Sequence, residues 1–484
     1  MIKKCFCLWI GILSLLLSTI IYESYALWKE SKSQETVNTL TGSCLGVDYG
    51  SSNGVVIDNE SPLTDVNGLL KEPYTFSVNN KCTKVVDVTI KLIIDSSIEL
   101  SNLKISIDGS TPVLISSLEK DGNNYILKSD KLIPDSLKEY DIRVWVNEGT
   151  ASDDYTNKST SIKVFVDYDE VDSRGSSFKD LILLDNGGKE VIDAKATPLF
   201  VNVSNTNEGV FKMDDDYGDS YYFRGAVDNN WVSFGGFYWR IVRINGDGSV
   251  RMIYSGTSAP TELEKVVMTG SKTTIGSSAF NTSYNRAEYV GYKYQINVKH
   301  GTSTNSTIKV KVDNWYKTNI YDKGLDEFVS DSIFCADRST IAGSGIGSAS
   351  SSFAIASRIL SSTRTPSLVC PTKIDKFTVA DNVNGNSVLT YKVGLLNADE
   401  AAAAGQSFER ANNSGYLYNN YNNWLMTPWG YYNSRFKSTL IDADGDINDG
   451  YVYVDTLGIR PVISLDKDLK VVGDGSWNDP YIIY

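Results

Sequence analysis

Residues 221–254, YYFRGAVDNNWVSFGGFYWRIVRINGDGSVRMIY, constrain the second half of the chain more than any other stretch. Segments 232–234 and 237–243 are dense in aromatic and β-branched residues, which fit a pleated, half-buried surface. Asn245-Gly246-Asp247-Gly248 tolerates positive φ, so the chain is expected to reverse there and return as a partner strand over 249–254. Trp239, Ile241 and Arg243 alternate with Arg240, Val242 and Ile244, and one of these sets is expected to face a core.

A chain of 484 residues implies two or three domains. Its formal net charge of -13 argues against nucleic-acid binding, which normally needs a basic face. The single histidine, His300, excludes a His-rich metal site and reads as an exposed loop residue. Lys3 and Lys4 precede an apolar run over 5–21, and Ser24-Tyr25-Ala26 fits a small-x-small cleavage site, so residues 1–26 read as an export signal. The run is short of the ~20 residues of a membrane span. An uncleaved anchor is the alternative, and membrane contact is expected only through this segment. Export permits disulfides. Cys5 and Cys7 leave with the signal, and the four remaining cysteines allow three pairings. Their spacing favours one pair in each domain, Cys44–Cys82 and Cys335–Cys370, against the alternative of four free buried thiols.

Residues 27–168 carry an all-β pattern, with strands expected at 74–78, 85–94, 103–107, 112–115, 124–127, 140–146 and 161–166. Val86, Val88, Ile90 and Leu92 alternate with polar or differently facing positions, as do Ile142, Val144 and Val146, and turns such as Asp108-Gly109 and Asp121-Gly122 separate the runs. That pattern predicts a sandwich of about seven strands, with Trp145 in a core. The signal followed by Tyr25-Ala26-Leu27-Trp28, then Gly42-Ser43-Cys44, Pro73-Tyr74-Thr75-Phe76 and Ile142-Arg143-Val144-Trp145-Val146, resembles the TasA/camelysin-type β-sandwich of Gram-positive bacteria. The resemblance implies a biofilm-matrix fibre subunit or surface protein. Some members are classed as metallopeptidases, but no HExxH occurs here. Residues 169–196 are expected to form a linker, acidic at 167–176, and a short helix at 178–184.

Residues 197–484 are expected to form an α+β domain. Ile308, Val312 and Trp315 recur at helical spacing after Ser306, a plausible N-cap. Asn397 and Glu400 make a capping-box-like start to a second helix that Gly405 stops. The Gly/Ser-rich stretch 342–352 follows no strand, so it reads as a flexible surface loop rather than a phosphate loop. Trp424-Leu425-Met426-Thr427-Pro428, Gly458-Ile459-Arg460-Pro461-Val462-Ile463 and the closing Asp479-Pro480-Tyr481-Ile482, with YYFRG and YWRIVRI, resemble a C-terminal domain of unknown function common in Firmicutes surface proteins. That domain is distantly similar to the C-type-lectin-like fold of formylglycine-generating enzymes. The enzymes use cysteine or copper chemistry, and the expected Cys335–Cys370 bond would occupy the cysteines available here.

Two stretches carry candidate binding chemistry. Asp442, Asp444, Asp446 and Asn448, with Asp449, could converge on Ca²⁺, although Ile447 stands where an EF-hand loop needs glycine; a plain hairpin loop is the alternative. No other cofactor is expected. Tyr416, Tyr418, Trp429, Tyr431 and Tyr432 belong to an aromatic, Asn-rich run that could stack on sugars or pack at an interface, with Trp424 assigned to the core. Asp214, Asp215, Asp216 and Asp219 form a second acidic cluster that reads as a solvated turn. Arg224, Arg240, Arg243, Arg338 and Arg460 read as buried structural pairs. The sequence therefore points to a non-catalytic bacterial cell-surface or matrix protein. Its C-terminal domain would engage a glycan or protein ligand, with like subunits as further partners. The alternative is a secreted enzyme, a metallopeptidase or a formylglycine-generating-like oxidase.

Overall fold

The computed structural model describes residues 32–33, 44–50, 54–82, 84–171, 177–360, 362, 364–454 and 456–483. The expected signal, cleavage site, Leu27-Trp28 and Gly42-Ser43 lie outside them. The protein is mostly β and divides into two compact units at Asp172/Ser173.

The first unit holds two antiparallel sheets. One is ordered Leu45–Asp48, Tyr74–Asn80, Ser136–Val146, Leu103–Ile107, Val113–Leu114; the other centres on Val85–Ser96 between Ser159–Val171 and Asn124–Leu132. Each expected strand forms, several of them longer than the sequence indicates. The alternation explains the packing. Val86, Val88, Ile90 and Leu92 from one sheet and Ile142, Val144 and Val146 from the other are essentially solvent-free and share one apolar core, as in a β-sandwich. Trp145 is fully buried but points the other way, as period two requires. It is roofed by the short helix Asp65–Gly68, where a Cβ on Gly68 would lie 2.2 Å from Trp145 Cε2. Cys44 and Cys82 form a disulfide. The last strand runs on through Val171, so much of the expected acidic linker is strand.

The second unit is built on the stretch that opened the sequence reading. Phe237–Ile244 pairs with Val250–Gly256 across the Asn245–Ser249 turn and with Trp231–Phe234 across Gly235-Gly236. These two glycines take φ of 67° and 82°, the left-handed pair that a two-residue hairpin needs. Tyr481–Ile483 joins the same eight-stranded sheet parallel to Trp231–Phe234. Both faces of Phe237–Ile244 are covered, because Trp239, Ile241, Val242 and Ile244 are all buried with Arg240 and Arg243. Alternation therefore could not choose a face. A second, five-stranded sheet is ordered Thr340–Ala342, Ser352–Phe353, Asn423–Tyr432, Arg435–Ile441, Ile447–Tyr451.

Both expected helices are present. Ser306 Oγ accepts from Lys309 N at 3.3 Å and starts Thr307–Asn319. Asn397 and Glu400 form a complete capping box on Ala398–Ala403. Phe178–Asp185 and Lys189–Asp193, expected as linker and helix, bury Phe178, Leu181, Ile182 and Ile192 in this unit's core. The Gly/Ser stretch is tied down: Gly347 N donates to Glu288 Oε2 at 2.9 Å and Gly345 N to Ser351 Oγ at 3.0 Å. Cys335 and Cys370 form the second disulfide. Among the described residues no helix is long and apolar enough to cross a membrane.

The five arginines are buried, as expected, but only three meet carboxylates: Arg224 with Glu208, Arg243 with Asp215 and Glu400, and Arg338 with Asp375. Arg240 and Arg460 are instead held mainly by backbone carbonyls, including Val227, Val266, Tyr254 and Leu417. His300 is no isolated loop residue, since its Nδ1 lies 2.9 Å from the buried Asp375 Oδ2.

Candidate functional site

The five-stranded sheet carries both candidate stretches and sets how far apart they lie. Asn423–Tyr432 turns through Asn433-Ser434, both at positive φ, into Arg435–Ile441, so that Tyr432 faces Arg435 across the turn. Arg435–Ile441 then turns through 442–446 into Ile447–Tyr451. The aromatic end of the run and the acidic loop thus sit at opposite ends of one seven-residue strand, on the order of 20 Å apart. They do not make one site.

The acidic loop is a hairpin turn closed mostly by its own hydrogen bonds, although Asp446 Oδ1 is buried without a hydrogen-bond partner among the described residues. Asp442 Oδ1 accepts from Asp444 N at 2.9 Å and Asp446 N at 3.2 Å, and Asp442 Oδ2 accepts from Asn448 Nδ2 at 3.2 Å. Asp444 is exposed. Burial, then the hydrogen bond and charge of Asp442, push the Asp446 carboxyl up to about 7. Burial alone would raise Asp442, but its hydrogen bonds from Asp446 and the Asp444 amide hold it below the usual range. One shared proton therefore relieves the like-charge contact. Among the described residues no three His, Cys, Asp or Glu side chains are grouped to hold a metal, which leaves the calcium expectation without geometric support. The second acidic cluster disperses: Asp215 pairs with Arg243, Asp216 with Lys376 and Asp219 with Lys212.

The aromatic run divides as well. Tyr416 is buried, its ring 5.4 Å from the Arg240 guanidinium, so it is core and not a ligand contact. Trp424 is core as expected, its Nε1 donating to Ser278 O at 2.8 Å. Tyr418 is half-buried against Gly445 of the acidic loop. Trp429 is half-buried and stacks on Phe408 with centroids 5.0 Å apart, and Tyr431 leans on Phe436 at 4.8 Å. Tyr432 stays open, 57% exposed.

Tyr432 belongs to a larger surface that the sequence reading missed. Arg435 is exposed, and its guanidinium carbon lies 5.7, 5.7 and 5.2 Å from the ring centres of Tyr284, Tyr451 and Tyr453. Its Nη1 donates to the Tyr453 hydroxyl. Tyr284 meets Tyr453 at 4.9 Å, and Tyr453 stacks with Tyr451 at 5.8 Å. Lys437 lies between Tyr451 and Tyr432, at 5.0 and 5.1 Å, and pairs with Asp449. The row runs Tyr284, Tyr453, Tyr451, Tyr432, with a cation in each half. Strand geometry builds part of it, because residues two apart share a face, as Arg435 does with Lys437, while Tyr453 follows from the turn after Ile447–Tyr451. Register then sets Lys437 opposite Tyr451. That signal was available in the sequence. Tyr284 was not, since a distant loop delivers it through Phe436 N donating to Tyr284 O at 3.0 Å. These side chains offer ring area and positive charge, the means of recognition rather than of bond breaking.

A separate groove of about 620 Å³ is lined by residues including Leu199, Phe200, Met213, Arg364 and Val369. Of the candidate residues named from the sequence it contains only Asp214, from the second acidic cluster. The chain matches no family model, no curated protein and no solved structure, so neither the TasA/camelysin resemblance nor the C-type-lectin-like one gains support from these comparisons.

Proposed function

We propose that the protein is a non-catalytic bacterial surface or extracellular-matrix protein that recognises its ligand through the tyrosine row of the second unit. The observation that carries this reading is the row itself: four rings and two cations gathered at one hairpin, with Tyr432 and Tyr284 well exposed. Exposed aromatic side chains supply large contact area at low entropic cost and are enriched in binding surfaces. One disulfide in each unit fits an oxidising, extracellular setting. On this reading the first unit is a spacer or assembly module of TasA/camelysin type, able to join like subunits. The second is a recognition domain of C-type-lectin-like α+β character. The test is a screen of the full chain against glycans and host-matrix proteins, with wild type beside a Tyr451→Ala/Tyr453→Ala double variant. Loss of stacking rings costs an interface about 1–3 kcal/mol in the range of hot-spot truncations, so the double variant should bind at least tenfold more weakly. Equal binding by both proteins would remove the row from the recognition site.

A further inference from the structure

We infer that the tyrosine row takes an acidic saccharide, a chain of sugar rings bearing carboxylates, with one carboxylate seated on Arg435. The inference rests on the recognition reading above and adds the chemical class of the ligand.

Three observations carry it. Among the described residues no carboxylate pairs with Arg435, whereas the neighbouring Lys437 is balanced by Asp449. Arginine has five N–H donors in a planar fork. The Tyr453 hydroxyl takes a donor from Nη1, and the three rings meet the guanidinium through their π systems, so the rest of the fork is free for a bidentate carboxylate. The rings also hold this exposed side chain in place, which lowers the entropic cost of using it.

The second observation is spacing. The rings extend beyond a single cage: Tyr284, Tyr453 and Tyr451 gather round Arg435, and Lys437 carries the row on from Tyr451 to Tyr432. A polymer that alternates flat C–H faces with carboxylates matches such a row. The third is the charge of the whole chain, -13. A dense polyanion such as nucleic acid would be repelled by most of the surface. A saccharide with at most one charge on each sugar is less densely charged than a duplex, with its charge every ~1.7 Å, and can place a single carboxylate locally. A peptide strand would use the backbone of an outer strand such as Ile447–Tyr451 rather than its aromatic face.

The experiment is calorimetric titration of the full chain with oligogalacturonate and with hyaluronan fragments. Each is compared with its methyl ester, which keeps the rings and removes the charge, and with poly-glutamate. Wild type should bind at least one acid form tenfold or more tighter than its ester and tighter than poly-glutamate. Arg435→Gln should bind the acid form no better than wild type binds the ester, and Arg435→Lys should recover part of the difference. Unchanged melting of the second unit in both variants excludes a folding defect. Equal binding of acid and ester by wild type, or no binding of either acid, overturns the acidic-saccharide assignment. If the screen above still shows row-dependent binding, the recognition reading survives that result. Preference for poly-glutamate would overturn the assignment in favour of an acidic peptide.

Discussion

Glu400 sits with its side chain fully buried between two arginines that face each other across strands, accepting from Arg243 Nε at 3.1 Å and pairing with Arg251 Nε at 2.7 Å. It also accepts from Asn397 N at 3.1 Å and so closes the helix cap. Burial would raise its carboxyl, but Arg251 and Arg243 hold it below the ordinary value near 4.5. Burial also draws Arg251 down to about 10, while Arg243, with a second carboxylate in Asp215, is raised. A carboxylate with a depressed folded pKa contributes stability that is complete above the unfolded value and is lost as pH falls through the folded one. The second unit should therefore lose stability on acidification below about pH 4.5, and Glu400→Gln should flatten that dependence. The same substitution leaves two buried guanidiniums short of a partner and should cost about 3–5 kcal/mol at pH 7, measured by denaturant unfolding. Asp446 carries the opposite sign. Its raised pKa means a contribution present below about pH 4 and lost as pH rises through about 7. Asp446→Asn should stabilise the hairpin at pH 8 by on the order of 1 kcal/mol, a discounted figure because the turn is partly solvated. That the arginines are buried was legible from their aromatic and acidic neighbours. Which of them would meet carbonyls instead of acids was not, because no residue type marks a carbonyl partner: Arg240 reaches Val227 and Val266, and Arg460 reaches Leu417 and Tyr254.

Elements with a local signal were read correctly. The two capped helices, the hairpin at Asn245–Ser249 and the strands of the first unit all follow from residues adjacent in sequence. Most strands of the first unit were read short, because their added ends, such as 128–131 and 136–139, are largely polar and carry no apolar alternation, while 112–115 was read long. The error at the candidate site is geometric. Stretches 416–432 and 442–450 are neighbours in sequence and touch at Tyr418 and Asn422, yet the seven-residue strand between their turns holds the exposed aromatic end at 429–432 away from the acidic turn. Period two and register along the hairpin would have found Arg435, Lys437 and Tyr451, but not Tyr453, which sits in the turn beyond the strand; attention to composition alone found only Tyr432. In the first unit, Gly68 reports how closely an element can dock. With Trp145 Cε2 2.2 Å from the position of a Cβ, Gly68→Ala must displace the helix or the ring. Overpacking of this kind costs about 1–3 kcal/mol, and thermal unfolding of the first unit should register it while the second unit is unchanged.

Each unit has its own apolar core and its own disulfide. Two thermal transitions should therefore be resolved in the full chain. Cys335 and Cys370 are 35 residues apart, and closing such a loop is worth about 3–4 kcal/mol in the chain-entropy account. Cys335→Ser should lower the transition of the second unit and leave that of the first in place, as seen by calorimetry under non-reducing conditions. Division into two units, in a mostly β chain, was readable from the change in pattern, but Phe178 and Leu181 were missed as core because their partners lie across the whole second unit. The central claim is that the tyrosine row is where this protein meets its ligand. Hydroxyl-radical footprinting of the full chain, with and without the tightest binder from the screen, tests it most directly. Protection of Tyr284, Tyr432, Tyr451 and Tyr453, with the groove residues Leu199 and Val369 unchanged, is the predicted result. Protection at Leu199 and Val369 with the four tyrosines unaffected would contradict it.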